Sequence, residues 1–188
     1  MIHPKTPKSP EVLDAVKNLP TSGTVATENG ILYLNLDNDW IFNSLAVLKP
    51  YGYILPPYFV DPPHIGAHIQ IVTKTEAEDY ELQLFGDKEN DVSHLMGKTV
   101  AFDVVKSYVS HPIKRSYGLE AIYKIKIESP ELSQIRKELT GLSSGPNNGN
   151  FVILVGLRNP ALNEEMNDDE EEEEKFQPDA DEKEGEMN

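Results

Sequence analysis

The chain has 188 residues, enough for one domain with a real hydrophobic core, and contains no cysteine, which excludes disulfides, thiol catalysis, zinc–thiolate sites and iron–sulfur clusters. No apolar run approaches the roughly 18 residues of a membrane span, and the start MIHPKTPKSPEVL lacks a signal-peptide core, so an intracellular protein, cytoplasmic or nuclear, with no membrane partner is expected. The net charge of −15 is unevenly spread: residues 163 to 188 carry 14 acidic and two basic residues, which leaves the preceding body at only −3.

In chain order, residues 1–30 read as an N-terminal extension with a short helix. In SPEVLDAVKNLP, Ser9 suits a cap, Pro10 the first helical position, and Val12, Val16 and Leu19 fall on one side. ILYLNL (31–36) is a strand by composition. Asp37 or Asn38 then offers a cap for a helix over 39–48, with Ile41, Leu45 and Leu48 at helical spacing. The proline-rich YGYILPPYFVDPP is a loop or edge that leads to a strand over 65–72. TEAED reads as a turn before a strand over 80–85, GDKENDVSHLMG as a connection, and TVAFDVVKSYV (99–109) as a longer strand. HPIKRSYG is a polar loop before a strand over 119–128, whose Tyr123, Ile125 and Ile127 share a face. Ser129 and Pro130 start a helix over 130–139, lined by Leu132, Ile135 and Leu139 and stopped by Gly141. After GLSSGPNNGN, the apolar FVILVGL (151–157) predicts a central strand.

The strand–helix–strand unit thus occurs twice, which predicts an α+β fold of two similar lobes with closing strands facing each other across a cleft, over residues 31–160. Residues 161–188 form an acidic tail. NDDEEEEEKFQPDADEKEGEMN has almost nothing to bury and repels itself, so disorder is expected. It reads as a solvating segment, as a docking site for a basic protein partner in which Phe176 would take part, or as a mimic of nucleic acid.

The chemistry concentrates in PPHIGAHIQIV, residues 62–72. On a strand His68 and Gln70 share one face while Ile69 and Ile71 share the other. His64 lies about 13 Å along an extended chain from His68, at about 3.3 Å per residue, so the two cannot bind one metal. No metal and no cofactor is expected. An imidazole beside a polar side chain on an exposed sheet face suits phosphate chemistry, because histidine titrates near 6.5 and can either take or give a proton.

GAHIQIV resembles the first signature of the two-histidine (2H) phosphoesterase superfamily, whose members carry two His-hydrophobic-Ser/Thr-hydrophobic motifs, one per lobe of a bilobal α+β fold. More closely, LKPYGYILPPYFVDPPHIGAHIQIV together with IYKIKIESPELSQIRKELTGLSSGPNNGNFVILVG is similar to its Swiss-army-knife RNA-repair-like branch. The resemblance covers roughly residues 31–158. It implies antiparallel sheets around a central cleft and makes His68 the first family histidine, with Gln70 where Ser or Thr is usual. The second motif aligns Val152 with the second histidine and Leu154 with its hydroxyl partner, so half of the acid–base pair is lost. Valine transfers no proton, and the missing half is typically worth 10²–10⁴-fold in rate. The implied function is a degenerate phosphoesterase-like protein that binds a nucleotide or an RNA end of the cyclic-phosphate type without two-histidine catalysis.

An active phosphodiesterase would need another partner for His68. His111 is the candidate, because HPIKRSYG also supplies Lys114, Arg115 and Tyr117, which either hold a phosphate or form a solvated loop. His94 is a weaker one. Asn147, Asn148 and Asn150 precede Val152 and can hydrogen-bond a ligand. GxxxxGK[ST], GxGxxG after a strand and GxSxG are all absent. A body at −3, with no basic cluster beyond Lys114 and Arg115, argues against tight binding of a long duplex.

Overall fold

The computed structural model describes residues 7–60, 64–80, 82, 92–112 and 118–160. Its elements are α1 (Ser9–Val16), β1 (Ser22–Glu28), β2 (Ile31–Asn35), α2 (Asp39–Leu48), α3 (Pro57–Val60), β3 (His68–Val72) and α4 (Lys74–Asp79), followed by β4 (Thr99–Ala101), β5 (Asp103–Ser110), β6 (Ala121–Glu128), α5 (Pro130–Thr140) and β7 (Phe151–Arg158). The expected α+β class holds. All seven strands join one antiparallel sheet in the order β4-β1-β2-β3-β7-β6-β5, with β3 and β7 meeting at Ile69 and Ile153.

Four expectations need correction. The strand expected over 99–109 breaks at Phe102, which is buried and donates its N–H to the Thr21 carbonyl at 2.9 Å. Before the break β4 pairs with β1; after it β5 pairs with β6. Two consecutive strands therefore occupy opposite edges of the sheet, which can happen only because the sheet curls into a half-barrel whose edges approach at Phe102. Residues 7–30 are part of the domain rather than an extension from it, since β1 lies inside the sheet and Val12 and Val16 of α1 are buried in the core. Most β1 side chains are only half-buried, so no strong alternation marks the strand.

TEAED is helical, not a turn: Thr73 Oγ1 accepts from Glu76 N–H while a Glu76 carboxylate oxygen accepts from Thr73 N–H, a reciprocal cap that starts α4. Ser9 is the first residue of α1 rather than its cap; Lys8 precedes the helix and makes no side-chain cap. The strand expected over 80–85 falls mostly outside the described residues, and Tyr80 itself terminates α4.

One face of the sheet is the core. Leu34, Ile69, Ile71, Tyr123, Ile125, Ile127 and Ile153 meet Trp40, Ile41, Leu45 and Leu48 of α2, each side chain contributing about 1.5–3 kcal/mol by leaving water. β7, the most apolar segment, is interior in the sheet as expected. The alternate residues of the same strands point away from α1 and α2, and the cavity described below opens among them. No helix of the described residues is long and apolar enough to cross a membrane.

Candidate functional site

His68 opens β3, and the residues before it are shaped to place it. Asn38, ahead of α2, does not cap that helix; its Oδ1 accepts from the Ala67 N–H at 3.0 Å and pins the strand entry. Gly66 makes this possible, because a Cβ there would lie 2.1 Å from that same oxygen. The Gly66 carbonyl in turn accepts from His68 Nδ1 at 2.9 Å. A carbonyl has no proton to give, so Nδ1 carries the hydrogen and Nε2 keeps its lone pair. Burial pushes the imidazole pKa down, with the Gly66 bond opposing more weakly, so the ring is neutral near pH 7. Two tyrosine rings hold it by edge contacts, Tyr58 at 4.7 Å and Tyr33 at 5.5 Å between centroids.

Next to β3 runs β7. Continuing the antiparallel register from Ile69 and Ile153 by one residue each way sets His68 opposite Leu154 and Gln70 opposite Val152, with His68 and Val152 on the diagonal. All four line one cavity of about 360 Å³, together with Asn29, Ile31, Tyr58, Ile65 and Asn147. The four positions singled out from the two aligned motifs are thus neighbours in space. Val152 is 5% exposed and presents only methyl groups. Tyr58 closes one side, where its hydroxyl donates to the Leu154 carbonyl at 2.6 Å and burial raises its pKa far above the ordinary tyrosine value. That proton is committed and is not available as a general acid.

The remaining predicted residues are placed elsewhere or lie outside the described residues. His111 is exposed just past the end of β5, an edge strand separated from β3 by β6 and β7, and its Nδ1–H donates to the Glu120 carbonyl at 3.1 Å. It does not line the cavity. Lys114, Arg115 and Tyr117, like the acidic tail with Phe176, lie outside the described residues. His94 sits in the 3-10 turn Ser93–Leu95, and His64 in an exposed loop with a left-handed φ of 56°; neither lines the cavity.

Of the asparagines, Asn147 reaches the His68 cavity. Asn150 bonds back to the Asn148 carbonyl at 3.2 Å and faces a second cavity of about 390 Å³ near the start of α5. The hairpin carrying them needs Gly145, whose missing Cβ would lie 2.1 Å from the Asn150 carbonyl carbon.

Sequence reasoning missed Tyr58, Tyr33 and Asn29. Tyr58 lies in a proline-rich stretch without periodicity, and only the bond to Leu154, 96 positions away, brings it to the histidine. Among the described residues no group of three or more His, Asp or Glu side chains could hold a metal ion. Chemically, the cavity offers one neutral imidazole acceptor, three side-chain amides and an apolar wall. It can accept a proton or a hydrogen bond, and among the described residues that line it none besides His68 is placed to deliver a proton to a leaving oxygen. No family model matches the sequence, and comparison with curated proteins and with solved structures returns no significant match.

Proposed function

We propose that the protein is a degenerate 2H phosphoesterase-like binding protein whose β3–β7 cavity takes a nucleotide or an RNA end of the 2′,3′-cyclic phosphate type, without two-histidine catalysis. The observation that carries the reading is the grouping of His68, Gln70, Val152 and Leu154 around one cavity. The first pair supplies polar recognition, and the second has the position but not the chemistry of a catalytic partner. A bilobal ancestry is supported by the repeated strand–helix–strand order, whose two closing strands are β3 and β7.

In this reading Nε2 of His68 accepts from a base N–H, the Gln70 and Asn147 amides donate to phosphate or base oxygens, and the base packs against Val152, Leu154 and Tyr58. Calorimetric titration with a 2′,3′-cyclic mononucleotide tests it. Binding that weakens at least about 10-fold in His68→Ala is expected, since a buried hydrogen bond to ligand is worth about 1.4 kcal/mol or more. Hydrolysis of the cyclic phosphate that disappears in His68→Ala would replace the binding protein by an enzyme with an unconventional partner group.

A further inference from the structure

The register of β6 extends the cavity face outward. Lys124 pairs with Leu154 and Lys126 with Val152, so both lysines project on the side that carries His68 and Gln70. On the outer side, Lys106 of β5 lies directly opposite Lys126, and Tyr108 opposite Lys124. Three lysines thus cluster on two adjacent strands: Lys124 and Lys126 lie one strand spacing of about 5 Å from the Val152 and Leu154 column and about 10 Å from the His68 column, and Lys106 lies one spacing farther out. Like charges directly opposite one another destabilise a sheet. The local compensation is slight. Lys126 approaches Glu128 at 3.8 Å and Lys106 lies over the Tyr108 ring at 5.8 Å, while Lys124 has no ion-pair partner among the described residues and is half-buried. Of the acids on this face, Asp103 and Glu128 sit opposite each other at one end of the β5–β6 pair, and Glu28 lies opposite the cavity residue Ile31. The lysines farther along have Val152, Leu154 and Tyr108 as cross-strand neighbours.

We propose that Lys106, Lys124 and Lys126 form a phosphate-binding strip that carries the backbone of a single-stranded nucleic acid away from the His68 cavity, with Tyr108 as a stacking surface for a base. This rests on the nucleotide reading of the cavity. A partially buried cation without a carboxylate gains most from a phosphate, and lysines interleaved with an aromatic ring suit a single strand, which offers both charge and base faces.

The test compares a 2′,3′-cyclic mononucleotide with a single-stranded RNA hexanucleotide bearing the same cyclic end, binding full-length protein across a salt series. The hexanucleotide should bind at least about 10-fold more tightly at low salt. With three phosphate contacts at about −0.7 each, its log–log salt slope should be near −2, a loss of about 20-fold between 50 and 200 mM salt. Lys106→Ala/Lys124→Ala/Lys126→Ala should flatten the slope and reduce the hexanucleotide to mononucleotide affinity, while mononucleotide binding stays within about 2-fold. Lys124→Gln alone should remove about 0.7 of the slope, which guards against misfolding of the triple variant.

Mononucleotide binding with no gain from length, or a gain untouched by the lysine substitutions, would overturn the strip and leave the cavity reading standing. Lysine-dependent hexanucleotide binding that ignores His68→Ala, without mononucleotide binding, would uphold the strip and overturn the cavity reading. Displacement of the hexanucleotide by polyglutamate of equal charge at equal affinity would overturn the phosphate assignment in favour of an acidic peptide.

Discussion

Glu76→Ala should destabilise the protein severely, and the pH dependence of that loss should identify the cause. Arg136, on α5, is 2% exposed. Its guanidinium donates to both Glu76 carboxylate oxygens, to the Ile71 carbonyl at 2.7 Å and to the Ser144 carbonyl. One side chain thus ties together β3, α4, α5 and the loop that delivers Asn147 to the cavity. The Arg136 hydrogen bonds are the largest influence on Glu76 and hold its pKa at about 2, against 4.5 ordinarily. That gap corresponds to roughly 3 kcal/mol at about 1.4 kcal/mol per pH unit, and to about 2 kcal/mol after allowing for solvent screening of the partly exposed carboxylate.

Removing the carboxylate also strands a buried guanidinium and dismantles the α4 cap, so the expected loss at pH 7 is about 3–5 kcal/mol, a large part of a typical domain's 5–15. The sign follows from the lowered value: the folded state binds the proton less readily than the unfolded chain. The Glu76 contribution is therefore fully present above pH 4.5 and is lost as the pH falls towards 2. Urea unfolding of wild type and Glu76→Ala at pH 7 and pH 3 measures this, and more than half of the charge-dependent difference should be gone at pH 3. A difference below about 1 kcal/mol at pH 7, or one that does not shrink at pH 3, would refute the reasoning.

Gly66→Ala should cost about 1–3 kcal/mol in thermal or urea unfolding and weaken cyclic-nucleotide binding, because the new methyl displaces the Asn38 side chain that holds Ala67; unchanged stability would show that the loop shifts freely. Tyr58→Phe should lose about 1 kcal/mol through the orphaned Leu154 carbonyl and keep the ring against His68, whereas Tyr58→Ala should also weaken ligand binding; equal effects of the two on binding would contradict this division. Histidine titration by NMR should place His68 below 6.5, since burial favours the neutral ring. Its contribution then favours folding above that pH and declines as the pH falls through the folded value, and a value at or above 6.5 would contradict the burial argument.

What the sequence determined by itself is what depends on short-range periodicity and backbone chemistry. Ser129, Pro130 and Gly141 bracket α5 as expected, with the Ser129 hydroxyl accepting from Leu132 N–H at 3.3 Å and Gly141 in the left-handed region. Alternation places Ile69 and Ile71 in the core, with His68 and Gln70 on the other face. The motif alignment named Val152 and Leu154. Alternation in IYKIKIE also puts Lys124 and Lys126 on one face, but it says nothing about what lies beside them.

Tertiary structure decided everything that depends on which strand pairs with which, and in what register. The Ile69–Ile153 pairing brings Leu154 and Val152 beside His68 and Gln70, the β6–β7 register adds two lysines to that face, and the break at Phe102 sends β4 and β5 to opposite edges. Tyr58 joins His68, and His111 is kept away from it, for the same reason. The physical cause is that side-chain alternation is a local property of one extended strand, whereas the register between strands is selected by the burial of the whole core, to which residues nearly a hundred positions apart contribute together.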